Sequence, residues 1–276
     1  MSDYNLDATL ASGQAFRWRR TQRGWEGIVG QRWISLILTP KGIRAEAVEP
    51  MDDWEWLSNY LQSEVHLPPI LATFPNDQAL REAVNWASGL RLLRQDPWEC
   101  LASFILSSSK QIVQIEQIVA ILSERWGQEV AVPPGVGRAY AFPSPIVLAN
   151  CSASDLRNCK MGFRAPYLKG TAELIAGGSV NLESLAAAPV EQARATLLEL
   201  PGVGPKIADC VLLFAYGFSS VFPIDVWVAR SLRDHYFAGR EVNLKRLTEF
   251  ASKHFGPHAG YAQQYLFHRK RLARPS

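Results

Sequence analysis

Residues 201–205, Pro-Gly-Val-Gly-Pro, constrain the fold more than any other part of the chain, because two prolines and two glycines in a row of five cannot continue a helix. The run 190–199 just upstream contains neither Gly nor Pro and, with Leu200, places Ala193, Leu197 and Leu198 at helical spacing; the same pattern resumes over 207–214. The expectation is a tight hairpin between two helices. Gly202 and Gly204 accept positive φ and, with Val203 between them, let backbone N–H groups approach a ligand, while Pro205 suits the first turn of the second helix. A helix N-terminus favours an anion, and for such a hairpin the natural anion is a DNA phosphate.

Lys206 follows in the first turn of that second helix, where the positive end of the dipole disfavours a further positive charge and so favours the neutral, nucleophilic amine. Asp225 follows Pro223, which discourages helix before it, and precedes a helical pattern over 226–236, so it reads as an N-cap with an anchored carboxylate. Amine and carboxylate together suit cleavage of an N-glycosidic bond: the anion stabilises an oxocarbenium-like sugar and the amine captures C1′ as a Schiff base, after which β-elimination can cut the strand. Each part has a plainer reading. Such hairpins occur in many DNA-binding modules, Lys206 can serve as a phosphate contact only, and Asp225 as a helix cap only.

The joint occurrence of hairpin, lysine and aspartate in this order resembles the helix-hairpin-helix DNA glycosylase superfamily, with Lys206 similar to the nucleophile of its bifunctional members and Asp225 to its catalytic aspartate. Further segments resemble the 8-oxoguanine DNA glycosylases: Ser12-Gly13-Gln14-Ala15-Phe16-Arg17-Trp18-Arg19, Leu92-Leu93-Arg94-Gln95-Asp96-Pro97 with Glu99-Cys100, Met161-Gly162-Phe163-Arg164-Ala165, and Ala262-Gln263 with Leu266-Phe267. The likeness spans nearly the whole chain.

The resemblance implies roles that the residues alone leave open. Gln263 and Phe267 stand one helical turn apart, so an amide can read a purine edge while a ring stacks on its face, and the family match assigns them that work. Cys210 lies one turn beyond Lys206; read alone it is a small buried hydrophobe, and the resemblance makes it the opposite wall of the pocket. Gly13 read alone is a bend ahead of the first strand; the resemblance makes it the source of a carbonyl that accepts from the N7–H of 8-oxoguanine and repels the N7 lone pair of guanine. Phe163 matches a tyrosine wedge, and Arg164 an arginine that contacts the base opposite the lesion.

The chain departs from the family's eukaryotic members at Ser109-Lys110-Gln111, where they carry an asparagine run that contacts the estranged base, and at Gln114, where they place an arginine. Ser109 is too short to fill the gap and bond a cytosine, although Lys110 or Gln111 has the reach, so a strict requirement for cytosine opposite the lesion is not expected. Trp227 stands where those members have a histidine near the target phosphate; its indole N–H donates but carries no charge.

The fold expected is α+β: an N-terminal antiparallel β-sheet domain of the TBP-like kind over 1–77, then an all-helical helix-hairpin-helix body over 78–276 with the hairpin at 200–206. From Gln14 to Val48 aromatic or β-branched residues alternate with polar ones, broken at Arg23-Gly24 and Pro40-Lys41-Gly42, which predicts an antiparallel meander; 51–62 predicts a helix laying Trp54, Leu57 and Leu61 on it. The 276 residues allow two or three subdomains, and a formal charge of +3 permits nucleic-acid binding without demanding it. The basic tail His268-Arg269-Lys270-Arg271 with Arg274 reads first as a solvated helix end.

Cys100, Cys151, Cys159 and Cys210 form no C-x-x-C pair, so the iron–sulfur loop of some relatives is not expected, and the chemistry needs no cofactor or metal. With no signal-peptide pattern and no long apolar run, the expectation is an intracellular monomer whose partner is damaged double-stranded DNA, with no membrane association. Two other functions fit parts of the pattern: a monofunctional glycosylase for alkylated or other damaged bases, in which Asp225 activates water, and a noncatalytic helix-hairpin-helix DNA-binding protein.

Overall fold

A computed structural model of the protein describes residues 4–272. Its N-terminal part is a four-stranded antiparallel meander in the order β1 (Trp18–Arg20), β2 (Trp25–Val29), β3 (Arg32–Thr39) and β4 (Gly42–Ala47). The expected breaks at Arg23-Gly24 and Pro40-Lys41 are turns, and a third turn falls at Gly30-Gln31, where pairing of Val29 with Arg32 leaves two residues to reverse the chain and Gly30 takes φ +58°. Trp18, Trp25, Ile34 and Leu36 form the buried face of the sheet, and helix Glu55–Leu61 covers it with Leu57 and Leu61.

A short helix, Leu6–Ala11, precedes the sheet and had no expectation attached to it. Asn5 caps it by accepting from the Ala8 N–H, and it ends at Ser12, presenting Ser12-Gly13-Gln14 at the seam with the helical part. That part is built around helix Pro97–Leu106, nearly every residue of which is buried. It is not purely helical: a two-stranded ribbon, Glu129–Val130 paired with Ala139–Tyr140, places Val130 and Ala141 against Trp33 of β3. Two residues per strand are too few to show an alternating pattern in sequence. Arg17 closes the seam by donating to the Tyr140 carbonyl and pairing with Glu99.

The basic tail is tied down rather than solvated. On helix Ala259–Leu272, His268 is buried, Arg269 pairs with Glu82, Lys270 pairs with Asp234, and Arg271 donates to the Ala11 carbonyl. Arg274 lies outside the described residues. Among the described residues no helix is long and apolar enough to cross a membrane.

Candidate active site

The hairpin forms between helices Val190–Leu198 and Pro205–Val211, which Arg194 staples by its Nε–Asp209 Oδ1 contact of 2.8 Å. Gly202 holds φ +78°, Gly204 is the N-cap and Pro205 the first helical residue, as the punctuation predicts. Val203 turns inward: its side chain is buried and its N–H donates to the Leu200 carbonyl at 3.1 Å. The N–H groups of Gly202, Gly204 and Lys206 take no backbone partner among the described residues, so these are the donors left open to an anion.

Helix Ala165–Ala176 backs this turn, with the Thr171 hydroxyl donating to the Pro201 carbonyl at 3.0 Å and Tyr167 pressed on Gly202. A Cβ at Gly202 would lie 2.7 Å from the Tyr167 Cβ, in a backbone conformation unfavourable to any L side chain. Gly202→Ala should therefore cost roughly 1–3 kcal/mol of folding stability and weaken affinity for undamaged duplex as the donors shift. Chemical denaturation and fluorescence anisotropy check both.

Lys206 projects from the hairpin helix towards the C-terminal end of helix Pro97–Leu106. Its amine donates to the Ser107 hydroxyl at 3.0 Å and lies 5.0 Å from the centre of the Phe104 ring; Ser107 in turn donates to the Phe104 carbonyl at 2.6 Å. Asp225 is the N-cap of helix Val226–Tyr236, its Oδ1 accepting from the Val228 N–H at 2.8 Å. Burial raises its carboxyl above the ordinary aspartate value, against the pull of the Val228 N–H and the Lys206 charge.

Lysine and aspartate open onto one cavity of about 700 Å³. Gly13, Cys210, Gln263 and Phe267 line the same cavity, as do Ser109, Lys110 and Trp227, so the structure brings together most of the residues singled out by sequence. Gln263 is only 4% exposed, and its Oε1 has no hydrogen-bond partner among the described residues. A buried amide oxygen left unpaired costs roughly 1–3 kcal/mol, a cost that a donor on a bound ligand relieves. Gly13 adopts φ +73°, and a Cβ there would lie 2.5 Å from Ile112 Cδ1 and 3.5 Å from the Phe267 ring. Burial pushes the Cys210 thiol up to about 12, although the Lys206 charge acts against it, so the sulfur is a neutral, apolar wall.

Phe163 and Arg164 lie outside this cavity. Phe163, 62% exposed, stands edge-on to Tyr167, with the hairpin just beyond, so Phe163 and the hairpin share one support. Arg164 is 3% exposed; its guanidinium lies 4.2 Å from the Phe163 ring centre and donates to the Met161 carbonyl at 3.4 Å. In this structure it packs behind the Phe163 ring and is largely withdrawn from solvent. Ser109 holds φ +55° in the turn between helices Pro97–Leu106 and Ile112–Trp126. Trp227 carries the guanidinium of exposed Arg230 at 5.3 Å from its ring centre, which puts a positive charge beside the uncharged indole.

Sequence reading missed Ser107, Phe104, Gln264 and Arg271, all of which line the cavity. Ser107 marks the end of the apolar helix that carries Phe104, which is the signal that was available. Gln264, beside Gln263, carried no signal of its own.

Comparison with known proteins adds an independent line. Residues 1–101 match the family model described as 8-oxoguanine DNA glycosylase, N-terminal domain. A probable N-glycosylase/DNA lyase of Methanothermobacter thermautotrophicus is 35% identical over 98% of this chain and 95% of its own length. The N-glycosylase/DNA lyase of Arabidopsis thaliana is 31% identical over 96% of this chain and 77% of its own. The crystal structure of Clostridium acetobutylicum 8-oxoguanine glycosylase/lyase, in complex with double-stranded DNA containing cytosine opposite 8-oxoguanine, superposes with a TM-score of 0.92. It is 32% identical and covers 98% of this chain and 93% of its own.

Proposed function

The chain belongs to the 8-oxoguanine DNA glycosylase family, and from that premise we propose that it removes 8-oxoguanine from duplex DNA and then cuts the strand at the resulting site. The observation that carries this reading is the shared cavity, lined by an amine, an anchored carboxylate and a buried amide oxygen with no partner among the described residues.

A base must leave the stack to reach such a cavity. Phe163 supplies a ring to fill the gap, and the open N–H groups of the hairpin hold a phosphate of the target strand. Trp227 and Arg230 give a second phosphate contact, the arginine supplying the charge that the tryptophan lacks. Inside, Phe267 and Cys210 form the two walls, the Gln263 Oε1 accepts from the Watson–Crick edge of the purine, and the Gly13 carbonyl accepts from N7–H.

The Lys206 Nζ lone pair, freed when the ammonium gives a proton to solvent, then attacks C1′. The electron pair of the C1′–N9 bond leaves with the base, and the Asp225 carboxylate stabilises the positive charge that develops on the sugar. Loss of a proton from nitrogen and opening of the sugar ring give the Schiff base, from which removal of a C2′ proton expels the 3′ phosphate. Residues 1–77 contribute the Gly13 carbonyl, and 78–276 contribute the chemistry. We read the enzyme as a monomer that acts inside the cell on its damaged double-stranded DNA.

Borohydride trapping on duplexes carrying 8-oxoguanine opposite each of the four bases tests this. A covalent adduct with all four, cytosine included, is the result expected from Ser109 and the inward-turned Arg164. Alkali-labile sites without an adduct would mean a monofunctional glycosylase, and neither product would reduce the protein to a DNA-binding module.

A further inference from the structure

The lesion-reading corner at residues 12–14 has an uneven pattern of hydrogen bonds. The Ser12 carbonyl accepts from the Gln264 Nε2 at 3.0 Å, and the Gln14 carbonyl accepts from the Gln95 Nε2 at 2.7 Å. Between these two held carbonyls, that of Gly13 accepts no hydrogen bond among the described residues. The Gln14 side chain fixes the downstream side: its Nε2 donates to the Arg91 carbonyl at 2.9 Å and the Thr9 carbonyl at 3.0 Å, and its Oε1 accepts from the Leu93 N–H at 2.8 Å.

Upstream, the clamp on the Ser12–Gly13 peptide is Gln264, which is 2% exposed and lies next in sequence to Gln263. Rotating that peptide changes the φ of Gly13, the one residue in the corner without a Cβ to resist it. Arg271 adds a second tie one residue before, to the Ala11 carbonyl, which does not touch the Ser12–Gly13 peptide itself.

From this pattern we infer that Gln264 is a positioning residue that sets the Gly13 carbonyl against the base, and thereby sets discrimination between 8-oxoguanine and guanine. The inference rests on the proposed function. Two adjacent glutamines on one helix then serve both edges of the purine: Gln263 touches it, and Gln264 holds the strand that touches its other side. A hydrogen-bond acceptor displaced by about 1 Å costs up to about 100-fold in a step that depends on it.

The test is Gln264→Met, which keeps length and removes the donor. Single-turnover release of 8-oxoguanine should fall by about 10- to 100-fold, while cleavage of a preformed abasic site, which has no base to read, stays within about 2-fold. In a Lys206→Gln background, which allows binding without turnover, the ratio of affinities for 8-oxoguanine and guanine duplexes should fall by about 10-fold, the lesion losing an acceptor and guanine losing a repulsion. Equal losses on lesion and abasic site, or an unchanged affinity ratio, would overturn the assignment. Should Gln264→Met not fold, Gln264→Asn, too short to span the contact, faces the same two readouts. Failure of the unsubstituted protein to release 8-oxoguanine would instead sink the function on which the inference rests.

Discussion

Lys206→Gln should bind 8-oxoguanine duplex as well as the unsubstituted protein does, yet release base and cut strand on the order of 10⁴-fold more slowly or worse. The amide is one heavy atom shorter than the amine, and the Ser107 hydroxyl keeps its own bond to the Phe104 carbonyl, so the end of helix Pro97–Leu106 holds. What it lacks is a nucleophilic lone pair on nitrogen, because amide resonance withdraws it. Gel-shift affinity measured beside borohydride trapping separates the two effects. A covalent adduct from this variant would remove Lys206 from the role of nucleophile, and lost binding would make it a phosphate contact instead.

Much of this site could be read from sequence because Lys206 and Asp225, the proposed reacting groups, sit on one continuous stretch. Gly202, Gly204 and Pro205 can hardly do other than end one helix and start the next, and Pro223 before Asp225 marks the cap in the same local way. Contacts between distant segments stayed silent. Ser107 matters because Lys206, 99 residues on, reaches it, and Gln264 because it meets Ser12, 252 residues away. A polar residue in an apolar helix has no meaning until its partner is known. Short elements were lost for a different reason: the Leu6–Ala11 helix and the two-residue ribbon strands depend on caps and tertiary pairing rather than on a periodic pattern. The fate of Arg164 followed from neither, since its stacking behind Phe163 depends on the turn geometry of 157–162, including positive φ at Lys160 and Gly162.

Asp225→Asn separates the catalytic charge from its structural job. Asparagine is as good an N-cap, so the bond from the Val228 N–H is kept and the helix start holds its place. The negative charge near C1′ is lost, and base release should fall by about 10²- to 10³-fold or more, the usual effect of removing one aimed electrostatic group. Stability should move the other way. Burial raises the Asp225 carboxyl, so the native state holds its proton more tightly than the unfolded chain does. Stability from this group is then lost as pH rises from the unfolded value through the raised native one, and the cost is fully present at neutral pH. Removing the charge lifts that cost, so Asp225→Asn should melt at the same temperature as the unsubstituted protein or higher at pH 7, with the advantage shrinking towards acid. The rate profile carries the matching sign: the unsubstituted enzyme needs the carboxylate, so base release should decline on the acid side through a value above that of an ordinary aspartate, and the variant should lose that limb. Thermal melts at several pH values and single-turnover rates across the same range decide it. A variant that melts lower at pH 7 while retaining activity would make Asp225 a cap and nothing more.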